Sequence, residues 1–242
     1  MEKAVGGKNI YGFPIGILML QTQFPRIPGD VGNATTWDFP ILYKIVAKAT
    51  PDIVVRKGAP AMLEPFVRGA QELEREGVRA ITTNCGFLAL FQKEMAEAVN
   101  IPVFTSSLMQ VPLVSMMLKP SQKVGIITIH SRSLTQRHLS AVGADQVPHV
   151  ILGTEGGKEF SRVILDDEME LDIEKARGDL IRVARRMKSD HPEVGAIILE
   201  CTNMPPYAAE MQREIGLPIF DIYTLVLWVY QGIIRKDFSG YM

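Results

Sequence analysis

The sequence predicts an α/β fold of two pseudo-symmetric halves, each a mainly parallel sheet flanked by helices, with an active site in the cleft between them. Three observations carry this: a gapless internal repeat, an alternation of strand-like and helix-like segments, and both cysteines at one point of the repeat. Residues 80–104 (AITTNCGFLALFQKEMAEAVNIPVF) lie over residues 196–220 (AIILECTNMPPYAAEMQREIGLPIF) at a constant offset of 116, with seven of 25 positions identical. Cys85 falls on Cys201, and Pro102 on Pro218.

Each half reads as strand, helix, strand ending in Cys, helix, and a short strand after Ile-Pro or Leu-Pro. Gly16-Ile17-Leu18 and Gly125-Ile126-Ile127 open the halves as strands. Before Cys85, Phe66, Ala70 and Leu73 recur at helical spacing, as do Ala176, Leu180, Val183 and Met187 before Cys201, so one face of each helix packs on its sheet. After the cysteines, Leu88, Phe91 and Met95 match Met204, Tyr207 and Met211 as one helical face. Gly77 and Gly195 sit where a helix is expected to stop before a strand. The polar turn Pro120–Lys123 precedes a strand over 124–129 and places a boundary near residue 120. Residues 1–120 carry Cys85, residues 121–242 carry Cys201, and the C-terminal tail is free to return to the first half. Each half is thus Rossmann-like, with ligands expected beyond the carboxyl ends of the strands.

Composition narrows the function. The 242 residues are 47% hydrophobic and 22% charged, with 26 Lys plus Arg against 27 Asp plus Glu. No basic run gives nucleic acid an electrostatic footprint. The first twenty residues lack a secretory pattern, and the apolar stretch 222–234 is short of the roughly 20 residues that cross a bilayer. A soluble cytoplasmic protein is expected, and its two cysteines, too few for a disulfide framework, are expected to remain thiols. His130, His138, His149 and His191 show no metal-ligand spacing, so no metal site is expected. The Met-rich stretch 109–117 points to a homodimer contact.

Two matching cysteines at strand ends suit proton chemistry. A following helix start offers backbone N–H groups and a positive dipole end that favour a thiolate. One thiolate can remove a Cα proton while the opposite thiol delivers one.

The segments TTNC (82–85) and ECTN (200–203), within the strand-Cys-helix repeat, resemble the aspartate/glutamate racemase superfamily, which includes hydantoin racemases, maleate cis-trans isomerases and arylmalonate decarboxylases. The resemblance implies Cys85 and Cys201 as the acid/base pair of a cofactor-independent racemase or epimerase of an amino acid or related small carboxylate. Maleate-type cis-trans isomerisation, hydantoin racemisation and non-catalytic carboxylate binding are the alternatives. The text departs from the Cys-Asn-Thr and Gly-Cys-Thr-Glu blocks of many amino-acid racemases, reading Cys85-Gly86-Phe87 and Glu200-Cys201-Thr202-Asn203. Retention of both cysteines favours proton exchange over decarboxylation.

Substrate contacts are expected from Asn84, Gly86, Thr202 and Asn203 beside the cysteines. Ser131, in His130-Ser131-Arg132-Ser133, is expected at a helix start. The loop after the first strand adds Gln23 and Arg26, the latter able to clamp a carboxylate.

Overall fold

The computed structural model describes residues 3–241. β1 (Ile15–Leu20) is buried along its whole length, as a parallel strand covered on both faces must be. β2 (Ile41–Val46), α1 (Leu63–Glu76), β3 (Ala80–Thr83), α2 (Gln92–Glu97), β4 (Val103–Phe104) and α3 (Val111–Met116) follow. The second half repeats the plan with β5 (Lys123–Thr128), α4 (Gln136–Ala141), β6 (His149–Gly153), α5 (Phe160–Leu165), α6 (Ile173–Asp190), β7 (Val194–Leu199), α7 (Pro205–Ile215) and β8 (Ile219–Phe220). α8 (Ile222–Ile233) is the last helix.

The sheets have the orders β2-β1-β3-β4 and β6-β5-β7-β8, and every pairing is parallel. Each half therefore has four strands, one more than the repeat predicts. The extra strands, β2 and β6, lie on outer edges, where Ile45 is exposed and Lys44 interrupts the apolar run, so neither has a clean period.

Local chemistry explains most boundaries. α1 buries Phe66, Ala70 and Leu73 and ends at Gly77, whose φ of 91° closes the helix in the left-handed region. α6 buries Ala176, Leu180, Val183 and Met187. It ends at Asp190 rather than near Gly195, which lies inside β7. The residues after Cys85 form a tight 3-10 run, Gly86–Phe91, before α2, whereas α7 after Cys201 is a regular helix. Pro205 and Pro206 at its first positions fit because their missing N–H groups would have no helical partner there.

One apolar core runs through both halves, from Phe66 and Leu73 past the cysteines to Leu180 and Met187. A second core lies on the other face of the first sheet, where Ile222, Leu225 and Val226 of α8 pack with Ile15, Ile17, Trp37 and Phe104. The last helix thus covers the half that carries Cys85. Among the described residues, no helix is long and apolar enough to cross a membrane.

Candidate active site

Because β3 and β7 pair with β1 and β5 in equivalent registers, their carboxyl ends bring Cys85 and Cys201 to the junction of the halves. Both cysteines are free and buried. They line one small cavity with Asn84, Gly86, Glu200, Thr202 and Asn203. Its remaining walls are Leu20, Phe24, Pro51, Val55, Phe87, Ile129, Ile164 and Leu165. No lysine, arginine or histidine is among these lining residues.

Two of the polar side chains on the wall hold the loops to their surroundings. Asn84 Oδ1 accepts the Leu20 N–H at 2.7 Å, tying the first cysteine loop to the end of β1. The Thr202 hydroxyl donates to the Asn84 carbonyl and joins the two loops directly. Gly86 is required where it stands: a Cβ there would collide with the carbonyl and Oε1 of Glu200.

The two thiols have different neighbours. Burial, then the Glu200 charge, pushes Cys85 up to about 12, against backbone N–H groups of Phe87 and Leu88 that favour its thiolate. The same two causes, in the same order, raise Cys201 well above the ordinary thiol range, against a backbone N–H of Asn203. The Cys201 thiol donates to Asn203 Oδ1 at 3.4 Å. Asn203 Nδ2 in turn donates to Asp30 Oδ2 at 2.6 Å, and Asp30 pairs with Arg26 at 2.8 Å. A buried polar chain thus fixes the amide that accepts the Cys201 hydrogen bond, whereas backbone N–H groups of Phe87 and Leu88 face the Cys85 sulfur.

Three residues expected to touch substrate lie outside the cavity lining. Arg26 is committed to Asp30 and Thr22 and lies over the Phe24 ring at 4.5 Å. It shapes the site through Asp30 and Phe24. Gln23 is exposed and binds Asp167 through its amide at 2.9 Å and its backbone N–H at 2.8 Å, bridging the halves at the rim. Arg56 bridges to Asp166 at 2.6 Å in the same region. Ser131 spends its hydroxyl and N–H on Glu155. The helix expected there begins later, with Thr135 and His138 forming the capping box of α4. Among the described residues, no group of three or more His, Cys, Asp or Glu is placed to hold a metal.

The residue that sequence reasoning missed is Glu200. It is wholly buried on the cavity wall. Its Oε2 accepts from the Thr128 hydroxyl at 2.7 Å, and its Oε1 has no partner. Burial pushes its carboxyl up to about 7. The available signal was an acidic residue directly after the apolar run of β7, where both faces of a strand are covered.

The family described as Asp/Glu/Hydantoin racemase matches residues 48–229. Among curated proteins, a dimethylsulfoniopropionate lyase of Durusdinium sp. clade D is 29% identical over 239 residues, covering 96% of this chain and 79% of that protein. Dimethylsulfoniopropionate lyase 5 of Emiliania huxleyi (strain CCMP1516) is 27% identical over 90% of this chain, which spans 45% of that longer protein. Among solved structures, the allantoin racemase of Klebsiella pneumoniae superposes with a TM-score of 0.59 at 18% identity, covering 90% of this chain and 87% of that one. That likeness extends to the fold. With the family match spanning most of the chain and the cysteine repeat at its centre, this protein belongs to the Asp/Glu/hydantoin racemase family.

Proposed function

We propose that this chain is a cofactor-independent enzyme that takes a proton from the carbon beside a small carboxylate, with Cys85 as base, and that it acts as a lyase on dimethylsulfoniopropionate. The observation that carries the chemistry is the pairing of two thiols with one buried carboxyl in a single cavity that holds no other charged side chain. The lyases of Durusdinium and Emiliania huxleyi support the substrate.

The compound carries a carboxylate at C1, acidified hydrogens at C2 and a dimethylsulfonium group at C3. The Cys85 thiolate removes a C2 proton, and the C–H electrons form the C2=C3 double bond. The C3–S bond breaks with its pair left on sulfur, so acrylate and neutral dimethyl sulfide form and the proton rests on Cys85. Backbone N–H groups of the cysteine loops would carry the charge that grows on the substrate carboxylate. Entry of a sulfonium cation opposes the Glu200 charge that raises both thiols, so the substrate itself favours the thiolate. The resting thiols are protonated, so Cys85 gives its proton to solvent as the cation enters, and the proton taken from C2 leaves the same way after turnover.

Racemisation is the second reading, favoured by the presence of both cysteines on the cavity wall and by the Cys201 proton held on Asn203. There the enediolate left by Cys85 takes a proton from Cys201 on the other face. Proton NMR of the enzyme in deuterium oxide with dimethylsulfoniopropionate, amino acids and hydantoins separates the two. Acrylate formation lost in Cys85→Ser supports the lyase. Cα exchange with inversion on another panel member, and no acrylate, replaces it with the racemase. Binding that survives serine at both cysteines, with no turnover by wild type, replaces both with a carboxylate receptor.

A further inference from the structure

The cavity holds one carboxyl that proton abstraction by Cys85 leaves unused. Glu200 is 0% exposed, lies against Gly86 between the cysteine loops, and presents an oxygen that nothing in the protein satisfies. A buried acceptor with no partner is costly, and the Thr128 hydroxyl fixes its other oxygen at 2.7 Å. Such a group is either neutral or waiting for a positive charge.

We infer that Glu200 recognises the cationic end of the substrate, and that this cation is an onium group without N–H bonds. The inference deepens the proposed proton abstraction at this cavity and rests on it for the placing of the substrate.

The walls decide between kinds of cation. A protonated amine brings three N–H donors, each needing an acceptor once buried. Here the Asn84 and Asn203 amide oxygens already accept from the Leu20 N–H and the Cys201 thiol, so the Glu200 oxygen is the one unpartnered buried side-chain acceptor among the described residues that line the cavity. A sulfonium or quaternary ammonium has no N–H to satisfy. It needs one negative charge and apolar or aromatic contact, and the cavity that Glu200 lines is also walled by Leu20, Phe24, Phe87, Ile129, Ile164 and Leu165. Arg26, the nearest guanidinium in the polar chain behind Asn203, is neutralised by Asp30, so no fixed cation competes for Glu200.

Three probes of similar size test this by equilibrium titration: 3-(trimethylammonio)propanoate, its neutral isostere 4,4-dimethylpentanoate, and 3-aminopropanoate. At about pH 8, wild type is expected to bind the onium probe at least about tenfold more tightly than either of the others. Glu200→Gln keeps the Thr128 bond and the shape of the wall, and is expected to bring the onium probe and its isostere within about twofold. A wild type that does not prefer the onium probe, or a preference that survives Glu200→Gln, overturns the assignment. Should the variant not fold, the wild-type preference at about pH 5.5 replaces it. The titratable and charged groups around Glu200 are Cys85 and Cys201, with Asp30 and Arg26 behind them, and burial places the Glu200 carboxyl at about 7. The preference is expected to fall as Glu200 takes up its proton, and a constant preference overturns the inference. Acrylate formation by wild type is followed in parallel. An onium preference that depends on Glu200 without acrylate refutes the lyase and leaves the assignment standing, whereas acrylate with charge-blind binding does the reverse.

Discussion

The two cysteine loops occupy equivalent places in two sheets of the same order, yet each residue beside the cysteines has been given a different task. Before the cysteine, Asn84 is satisfied by the end of β1, whereas its counterpart Glu200 bonds Thr128 with one oxygen and leaves the other free. After the cysteine, Gly86 makes room for the Glu200 side chain, whereas Thr202 reaches back to the Asn84 carbonyl. One position further, Phe87 contributes a backbone N–H to the Cys85 sulfur, whereas Asn203 accepts the Cys201 proton. The repeat makes the cleft symmetric in its backbone, and the residues beside each cysteine make the two sides chemically different, which is the basis for the proposed roles of Cys85 as base and Cys201 as acid.

The largest effect expected from breaking this division is on turnover. Acrylate formation from dimethylsulfoniopropionate is expected to fall by about 10³-fold in Cys85→Ser but only about tenfold in Cys201→Ser, because elimination needs a base and no opposing acid. Equal losses in the two variants would erase the distinction.

The next effect is a pH dependence confined to the second loop. The Glu200 carboxyl stands at about 7 against an ordinary 4.5. Its folded value lies above its unfolded one, so its contribution to stability is fully present below about pH 4.5 and is lost as pH rises through about 7, a change of about 3 kcal/mol. Urea unfolding of wild type and Glu200→Gln across that window should show the difference between them changing by that amount in the variant's favour. A difference independent of pH would contradict the buried carboxyl.

Smaller effects compare the residues after the cysteines. Gly86→Ala forces a Cβ into Glu200 and is expected to cost about 2 kcal/mol. Thr202→Val removes one hydroxyl bond to the Asn84 carbonyl and is expected to cost about 1 kcal/mol. Thermal unfolding of both variants checks the order, and a reversed order would mean that the loops are held together by the Thr202 bridge more than by the Gly86 fit.

Much of the scaffold is legible in the sequence because repeats and buried helical faces leave periodic marks. The strand ending in Cys85, its copy ending in Cys201, and the faces of α1 and α6 all follow from spacing. The edge strands β2 and β6 leave no such mark, since an edge is half wet and its pattern is broken by residues such as Lys44. Asn84, Gly86, Thr202 and Asn203 are found on the cavity wall because they are neighbours of the cysteines in the chain. Gln23, Arg26 and Ser131 come from loops, where chemistry alone suggested a contact. Their partners Asp167, Asp30 and Glu155 are visible only once the chain is folded. Glu200 was overlooked for the converse reason: its charge suggests solvent, and only the fold shows it to be enclosed.

The central claim, that Cys85 is the base that takes the C2 proton in this cavity, is tested most directly by stereospecific hydrogen exchange. The measurement is deuterium incorporation at C2 of 3-(trimethylammonio)propanoate, resolved by prochiral position, for wild type, Cys85→Ser and Cys201→Ser. The account predicts exchange of both C2 hydrogens by wild type, of one alone by Cys201→Ser, and of neither by Cys85→Ser. Exchange that persists in Cys85→Ser, or at both positions in Cys201→Ser, would contradict it.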